Sequence, residues 1–148
     1  MSVSTTSTEG IKIERRHTTP GVHPFDEIEW EFRDAVIGDP ENPAFEQRGV
    51  EFPVTWSQNA TNIVAQKYFR GTLGTPQRES SVRQLASRVV DTIRGWGDKH
   101  GYFATPEDAQ IFAEELTHLI VTQKAACWLT RMEVSSASKV SPSSSVEK

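Results

Sequence analysis

The side chains best suited to chemistry gather in KYFRGTLGTPQRESSVR, where Lys67, Arg70, Arg78 and Arg83 bracket a Gly/Pro turn. A guanidinium donates two parallel hydrogen bonds, a geometry that matches a carboxylate or a phosphate. These four residues are therefore candidates for phosphate binding or for contacts to a carboxylate of another domain. The competing reading pairs the same arginines with Glu79 and with water, which stabilises little. RGTLGT supplies two glycines but follows a helical stretch, so it lacks the strand–loop–helix setting of a phosphate loop.

Elsewhere the residues offer no catalytic constellation, and no catalytic, cofactor-binding or metal residue is assigned from them. His17, His23, His100 and His118 show no metal-ligand spacing, and His118 reads as an ordinary boundary residue of a helix. The carboxylates of FDEIEWE alternate with apolar residues, which puts Glu29 and Glu31 on a solvated strand face. A single cysteine, Cys127, excludes an internal disulfide and a zinc site built from several thiolates. The net charge of -4 comes without a basic stripe, which argues against a nucleic-acid partner. No apolar run approaches the ~20 residues that span a bilayer. MSVSTTSTEG has neither a charged nor an apolar leader pattern, so a cytoplasmic setting is expected.

The elements that must position these residues form an α+β arrangement: a short N-terminal β-hairpin, three amphipathic helices, and disordered termini. Residues 1–16 are expected to be a mostly disordered arm, with at most a short strand in IKI. IEWEFRDAVI alternates Ile28, Trp30 and Phe32 against Glu29, Glu31 and Arg33, predicting a strand whose first three named residues are buried. GDPENP is a longish loop, and AFEQRGVEFP returns as the second strand, ended by Pro53. TWSQNATNIVAQKYFRG then places Trp56, Ala60, Ile63, Val64 and Tyr68 on one helical face. The next helix buries Val82, Leu85, Val89, Ile93 and Trp96 and closes at glycines. The third starts at Thr105 as N-cap, with Pro106 in first position and Asp108 three residues after the cap. Its stripe is Ala109, Phe112, Ala113, Leu116, Leu119 and Ile120.

Three long segments, TTPGVHPFDEIEWEFRDAVI, WSQNATNIVAQKYFRGTLGTPQRESSVRQL and GYFATPEDAQIFAEELTHLIVTQKAA, carry a resemblance in both order and spacing. Residues 17–126 are similar to the N-terminal domain of the adenosylcobalamin-dependent (class II) ribonucleotide reductases. The resemblance implies an oxidoreductase that makes DNA precursors, with ribonucleoside diphosphates as substrate. It further implies adenosylcobalamin as cofactor, a cysteine thiyl radical, a reducing cysteine pair and a ten-stranded α/β barrel that carries them all. In that family QKAA runs on into the first barrel strand. Here it is followed by CWLTRMEVSSASKVSPSSSVEK, a Ser-rich tail 127–148 that does not match the family and is expected to be disordered. The switch at Cys127 is what a frameshift, a rearrangement or a split gene would leave.

The expected function is thus the N-terminal portion of a ribonucleoside-diphosphate reductase, inactive alone because the barrel is missing, with no cofactor bound by this chain itself. The alternative is a docking or regulatory module for a separately encoded barrel. A third reading, an independent nucleotide-binding domain using Arg70, Arg78 and Arg83, belongs to a different class. The remaining catalytic barrel is the implied partner, and a ribonucleotide substrate enters only with the complete enzyme.

Overall fold

A computed structural model describes residues 9–125. A 3-10 turn, Pro24–Glu27, leads into strand β1 (Trp30–Asp39), which pairs antiparallel with β2 (Asn42–Pro53). Helices α1 (Gln58–Lys67), α2 (Val82–His100) and α3 (Pro106–Val121) follow. The expected α+β architecture, a hairpin followed by three helices, is the one observed. Its loop is shorter than expected: Asp39 faces Asn42, leaving only Pro40 and Glu41 at the bend.

The alternation in β1 predicts the burial only in part: Ile28 and Trp30 are half-buried against the core and Glu29 and Glu31 are exposed as expected, but Phe32 and Arg33 depart from the pattern. Residues opposite one another in an antiparallel pair share a face. Trp30 lies opposite Pro53 and Phe32 opposite Glu51, whereas Arg33 lies opposite Val50. Val50 and Phe52 are fully buried, while Phe32 is 74% exposed. The register then shifts between Arg33 and Ala35, so the simple period of two does not run through the strand. Gly49, in the left-handed region at φ 65°, sits at this irregularity and donates its amide to Asp34 Oδ1 at 2.9 Å. Ala35 beyond the bulge is completely buried. Arg33 is tolerated on the inner face because its guanidinium donates to the carbonyl of Val54 at 3.0 Å, to that of Trp56, and to Thr61 Oγ1 at 3.0 Å.

Helix α1 is capped by Ser57, whose hydroxyl accepts from the Ala60 amide at 3.1 Å. Its buried stripe is Thr61, Val64 and Ala65, rotated from the expected face so that Ile63 is exposed. On the same helix Gln58 and Asn62, one turn apart, reach the free edge of β1. Gln58 Nε2 donates to the Asp34 carbonyl at 2.8 Å, and Asn62 Oδ1 accepts from the Val36 amide at 3.3 Å.

Helix α2 opens with a capping box of Ser81 and Gln84 and closes at Gly101 in the left-handed conformation. Val82, Leu85, Ala86, Val89 and Val90 are buried, but the expected stripe ends early and Trp96 is exposed. Helix α3 begins as expected, with the Thr105 hydroxyl accepting from the Asp108 amide at 3.1 Å and Pro106 in the first turn. Its buried residues include Ala109, Ala113 and Ile120, with Thr117 and Val121 added to the expected stripe and Phe112, Leu116 and Leu119 half-buried.

One core holds these pieces. Phe52 packs edge-on to Trp56 and tilted on Phe69, each at 5.6 Å between ring centroids. The Trp56 indole N–H donates to the Val121 carbonyl at 2.8 Å, joining the end of the hairpin to the end of α3 across 65 residues. The Phe103 ring lies so close to α2 that a Cβ at Gly97 would meet it at 2.3 Å.

Two alanine substitutions in the same helix separate this contact from helix propensity. Gly97→Ala forces the Phe103 ring aside and should destabilise by about 1–3 kcal/mol. Gly95→Ala meets nothing within 4 Å, and should stabilise by about 0.5–1 kcal/mol through propensity alone. Urea unfolding of the two variants checks the opposite signs.

Candidate functional site: an arginine loop and an arm clamp

Tyr68 ends α1, and the loop from it to Ser81 is built around Arg78. Its guanidinium donates to the carbonyls of Phe69 at 2.7 Å, Gly71 at 3.0 Å and Ala65, while its Nε donates to Gln47 Oε1 at 3.0 Å. Burial lowers its pKa from the ordinary arginine value, opposed by the charge of Glu79. The approach is so close at Gly71, φ 88°, that a Cβ there would meet the Gln77 carbonyl oxygen at 2.3 Å.

Glu79 closes the loop. Its Oε2 accepts from the Arg70 amide at 2.8 Å, and its own amide donates to the Arg70 carbonyl at 2.8 Å. The carboxylate is held by Arg88 of α2, at 2.7 Å and 3.1 Å, an arginine that the sequence reading did not single out. Arg83 is engaged separately. It pairs with Glu51 at 3.0 Å and stacks its guanidinium over Trp30 at 4.2 Å from the ring centre.

The four basic candidates therefore divide. Arg78 and Arg83 are spent inside the fold on carbonyls, a carboxylate and an aromatic ring. Lys67 and Arg70 are exposed, and neither side chain makes a hydrogen bond or ion pair with another described residue.

The second constellation lies on α3. The arm predicted to be mostly disordered over 1–16 is, in its described part, bonded to the rest of the chain. Ile11 donates its amide to the Tyr102 carbonyl at 2.7 Å and accepts from the Ala104 amide at 3.0 Å. The Ile13 amide donates to Asp108 Oδ1 at 2.8 Å, and Arg15 pairs with Glu114. Glu115 then gathers three successive amides: Arg16, His17 and Thr18 each donate to its Oε1 at 3.0 Å, joined by the Thr18 hydroxyl at 2.7 Å. Burial would raise the Glu115 carboxyl, but these donors outweigh it and hold it at about 2. Asp108 is lowered in the same way by the Thr105 hydroxyl and the Ile13 amide.

The histidines do not converge. His23 Nδ1 accepts from the Phe25 amide at 3.2 Å and caps the 3-10 turn, and His100 stacks on Tyr102. His17 stacks on His118 with 5.2 Å between ring centres. Among the described residues no three His, Cys, Asp or Glu side chains come together as a metal site. No described helix is long and apolar enough to cross a membrane. Cys127 and the tail 127–148 lie outside the described residues.

Residues 36–123 match the family model described as class II vitamin B12-dependent ribonucleotide reductase. The chain is 54% identical over 121 residues to a vitamin B12-dependent ribonucleotide reductase of Streptomyces clavuligerus, covering 80% of this chain and 13% of the relative. A protein of the same name from Streptomyces avermitilis is 56% identical over 120 residues, covering 80% of this chain and 12% of the relative. That of Rhodopirellula baltica is 46% identical over 120 residues, covering 79% and 12% respectively. The chain thus spans about an eighth of the length of these curated relatives.

Two sets of variants test the roles assigned to these residues. Arg78→Ala leaves partly buried carbonyls without a donor and should destabilise by about 2–3 kcal/mol. Arg70→Ala and Lys67→Ala should stay within about 0.5 kcal/mol. Denaturant midpoints distinguish a structural arginine from exposed ones available to a partner. Glu115 has a depressed pKa, so its contribution is complete above the ordinary 4.5 and is lost as pH falls from there towards about 2. Glu115→Gln should remove about 1–2 kcal/mol near neutrality, after discounting for solvent screening at this partly exposed site. It should also flatten that stretch of the acid stability curve, followed by thermal melts from pH 6 to pH 2.

Proposed function

Since the chain belongs to the class II vitamin B12-dependent ribonucleotide reductase family, we propose that it serves as the N-terminal portion of a ribonucleoside-diphosphate reductase. The observation that carries this reading is the continuous match over residues 36–123, with identities of 54–56% to curated relatives running through the same stretch. The work belongs to deoxyribonucleotide supply, and we place it in the cytoplasm.

On this reading the corrin cofactor is held by the barrel and not by the described residues. Among the described residues no three His, Cys, Asp or Glu side chains gather as a metal-binding group, and the hollow of about 340 Å³ beside the α2–α3 connection is lined by Arg94, Asp98 and Phe103. A thiyl-radical route needs one radical cysteine and a reducing pair, and this 148-residue chain has a single cysteine. The radical chemistry, the nucleotide and adenosylcobalamin belong on this reading to the catalytic barrel of the reductase, and the chain alone has no active site.

What the described residues contribute is a shaped surface. Arg78 and Glu79 fix the loop that carries Arg70, so that Lys67 and Arg70 stand ready for carboxylates of the barrel or for a phosphate. Phe32, 74% exposed on the hairpin, and Leu73, 47% exposed on the loop, are apolar side chains of the kind that a partner covers. The docking role towards a separately encoded barrel uses the same surface and differs only in whether one polypeptide or two supplies the parts.

The purified chain, given nucleoside diphosphates, adenosylcobalamin and a dithiol reductant, should form no deoxynucleotide; turnover above background would overturn the assignment of the chemistry to the barrel. A reductase barrel lacking its own N-terminal region should bind the chain with Kd on the order of 1 μM. Phe32→Ala or Arg70→Ala should weaken that binding by about tenfold. An absence of binding by calorimetry would remove the docking role.

A further inference from the structure

The stacked pair His17 and His118 joins the arm to α3 at the point where Glu115 gathers the arm's amides. The rings are almost parallel, 4° apart in plane, with centres at 5.2 Å. Lys124 Nζ lies 3.1 Å from His118 Nε2. An ammonium has donors and no acceptor, so this contact requires a lone pair on Nε2 and therefore a neutral His118 with its proton on Nδ1. Protonation of His118 would set two donors, each on a cation, against one another at this distance. It would also place a charge against the His17 ring.

We propose that His17 and His118 form a proton-sensitive latch, which holds the arm, residues 9–18, on α3 while His118 is neutral and loosens it on mild acidification. Among the described residues, charged or titratable groups from several elements act on His118. Lys124 comes from the segment after α3, His17 from the arm, Glu115 from α3 itself and Glu27 from the 3-10 turn. Burial, Lys124 and His17 together outweigh the two carboxylates and keep the ring below the ordinary histidine value of 6.5. Of the arm's other charges, Arg16 lies 3.6 Å from Glu14 in solvent and Arg15 pairs with Glu114.

The sign follows from linkage. A histidine whose pKa is depressed in the bound arrangement takes up its proton more readily once that arrangement opens. The hold is complete above 6.5 and is lost as pH falls below it. Glu115, held at about 2, keeps its charge throughout this range. The carboxylate clamp is therefore constant while the histidine pair changes.

The test is amide hydrogen exchange of the whole chain at pH 7.5 and pH 5.0, corrected for the intrinsic pH dependence of exchange. Protection of the Arg16, His17 and Thr18 amides should fall by about fivefold to tenfold at the lower pH, while that of Val89 and Val90 in α2 stays constant. In His118→Gln, where Lys124 keeps an acceptor but no proton is taken up, protection of the arm should hold across the same range. Unchanged protection in the natural sequence, or an equal loss in His118→Gln, would overturn the latch. Ring-proton NMR of the unsubstituted chain adds a second reading. A His118 midpoint below 6.5 supports the proposal and one at or above it sinks it.

Discussion

A carbonyl buried without a donor is expensive, and the places where this chain leaves its regular ladders create several. Arginine answers at each of them. Arg33 collects the carbonyls of Val54 and Trp56 where β2 turns towards α1, Arg78 those of Ala65, Phe69 and Gly71 where α1 stops, and Arg88 that of Tyr68. A guanidinium suits this because its five donors lie in a rigid fan and its charge strengthens each bond. The bend between hairpin and α1 is thereby fixed by a side chain of β1, and that between α1 and α2 by Arg78 of the loop itself together with Arg88 of α2. A two-stranded sheet is marginal by itself, so the placement of the hairpin depends on these bends holding.

That dependence explains which parts of the fold could be read from sequence. Helix α3 was legible because its signals are local: a threonine cap, a proline behind it and an apolar stripe at helical spacing. The hairpin was legible as two strands but in its facing only as far as Trp30, because alternation presumes an unbroken pleat and a single covered side. The bulge after Arg33 breaks the first condition, and an inward arginine with five donors to place defeats the second. In the basic loop the residue types were informative and their use was not. Arg78 finds Gln47, and Arg83 finds Glu51, at separations of 31 and 32 residues. The arm clamp left no signal, since its ligands to Glu115 are mostly backbone amides, and an amide carries no residue identity.

The comparison with curated reductases gives these local arrangements a common frame. The matched stretch, 36–123, takes in most of the hairpin, all three helices, the arginine loop and the helix that receives the arm. The arm itself, residues 9–18, precedes it. The indole of Trp56 on the Val121 carbonyl means that the far end of α3 is positioned by the hairpin rather than by its own helix alone. Any surface made jointly by these two elements therefore keeps its shape as a unit.

The two amides of Gln58 and Asn62 have a consequence of a different kind. An exposed strand edge is a row of unpaired donors and acceptors, and in a crowded cell it invites a strand from another molecule. The outer edge of β1 would offer such a row. By turning one carbonyl and one amide of that edge inward to its own helix, the chain occupies the positions that a foreign strand would have to seize first. The pair, bridged to each other at 2.9 Å, acts as a guard against edge-to-edge aggregation, and it does so with neutral side chains where many proteins use lysine or proline.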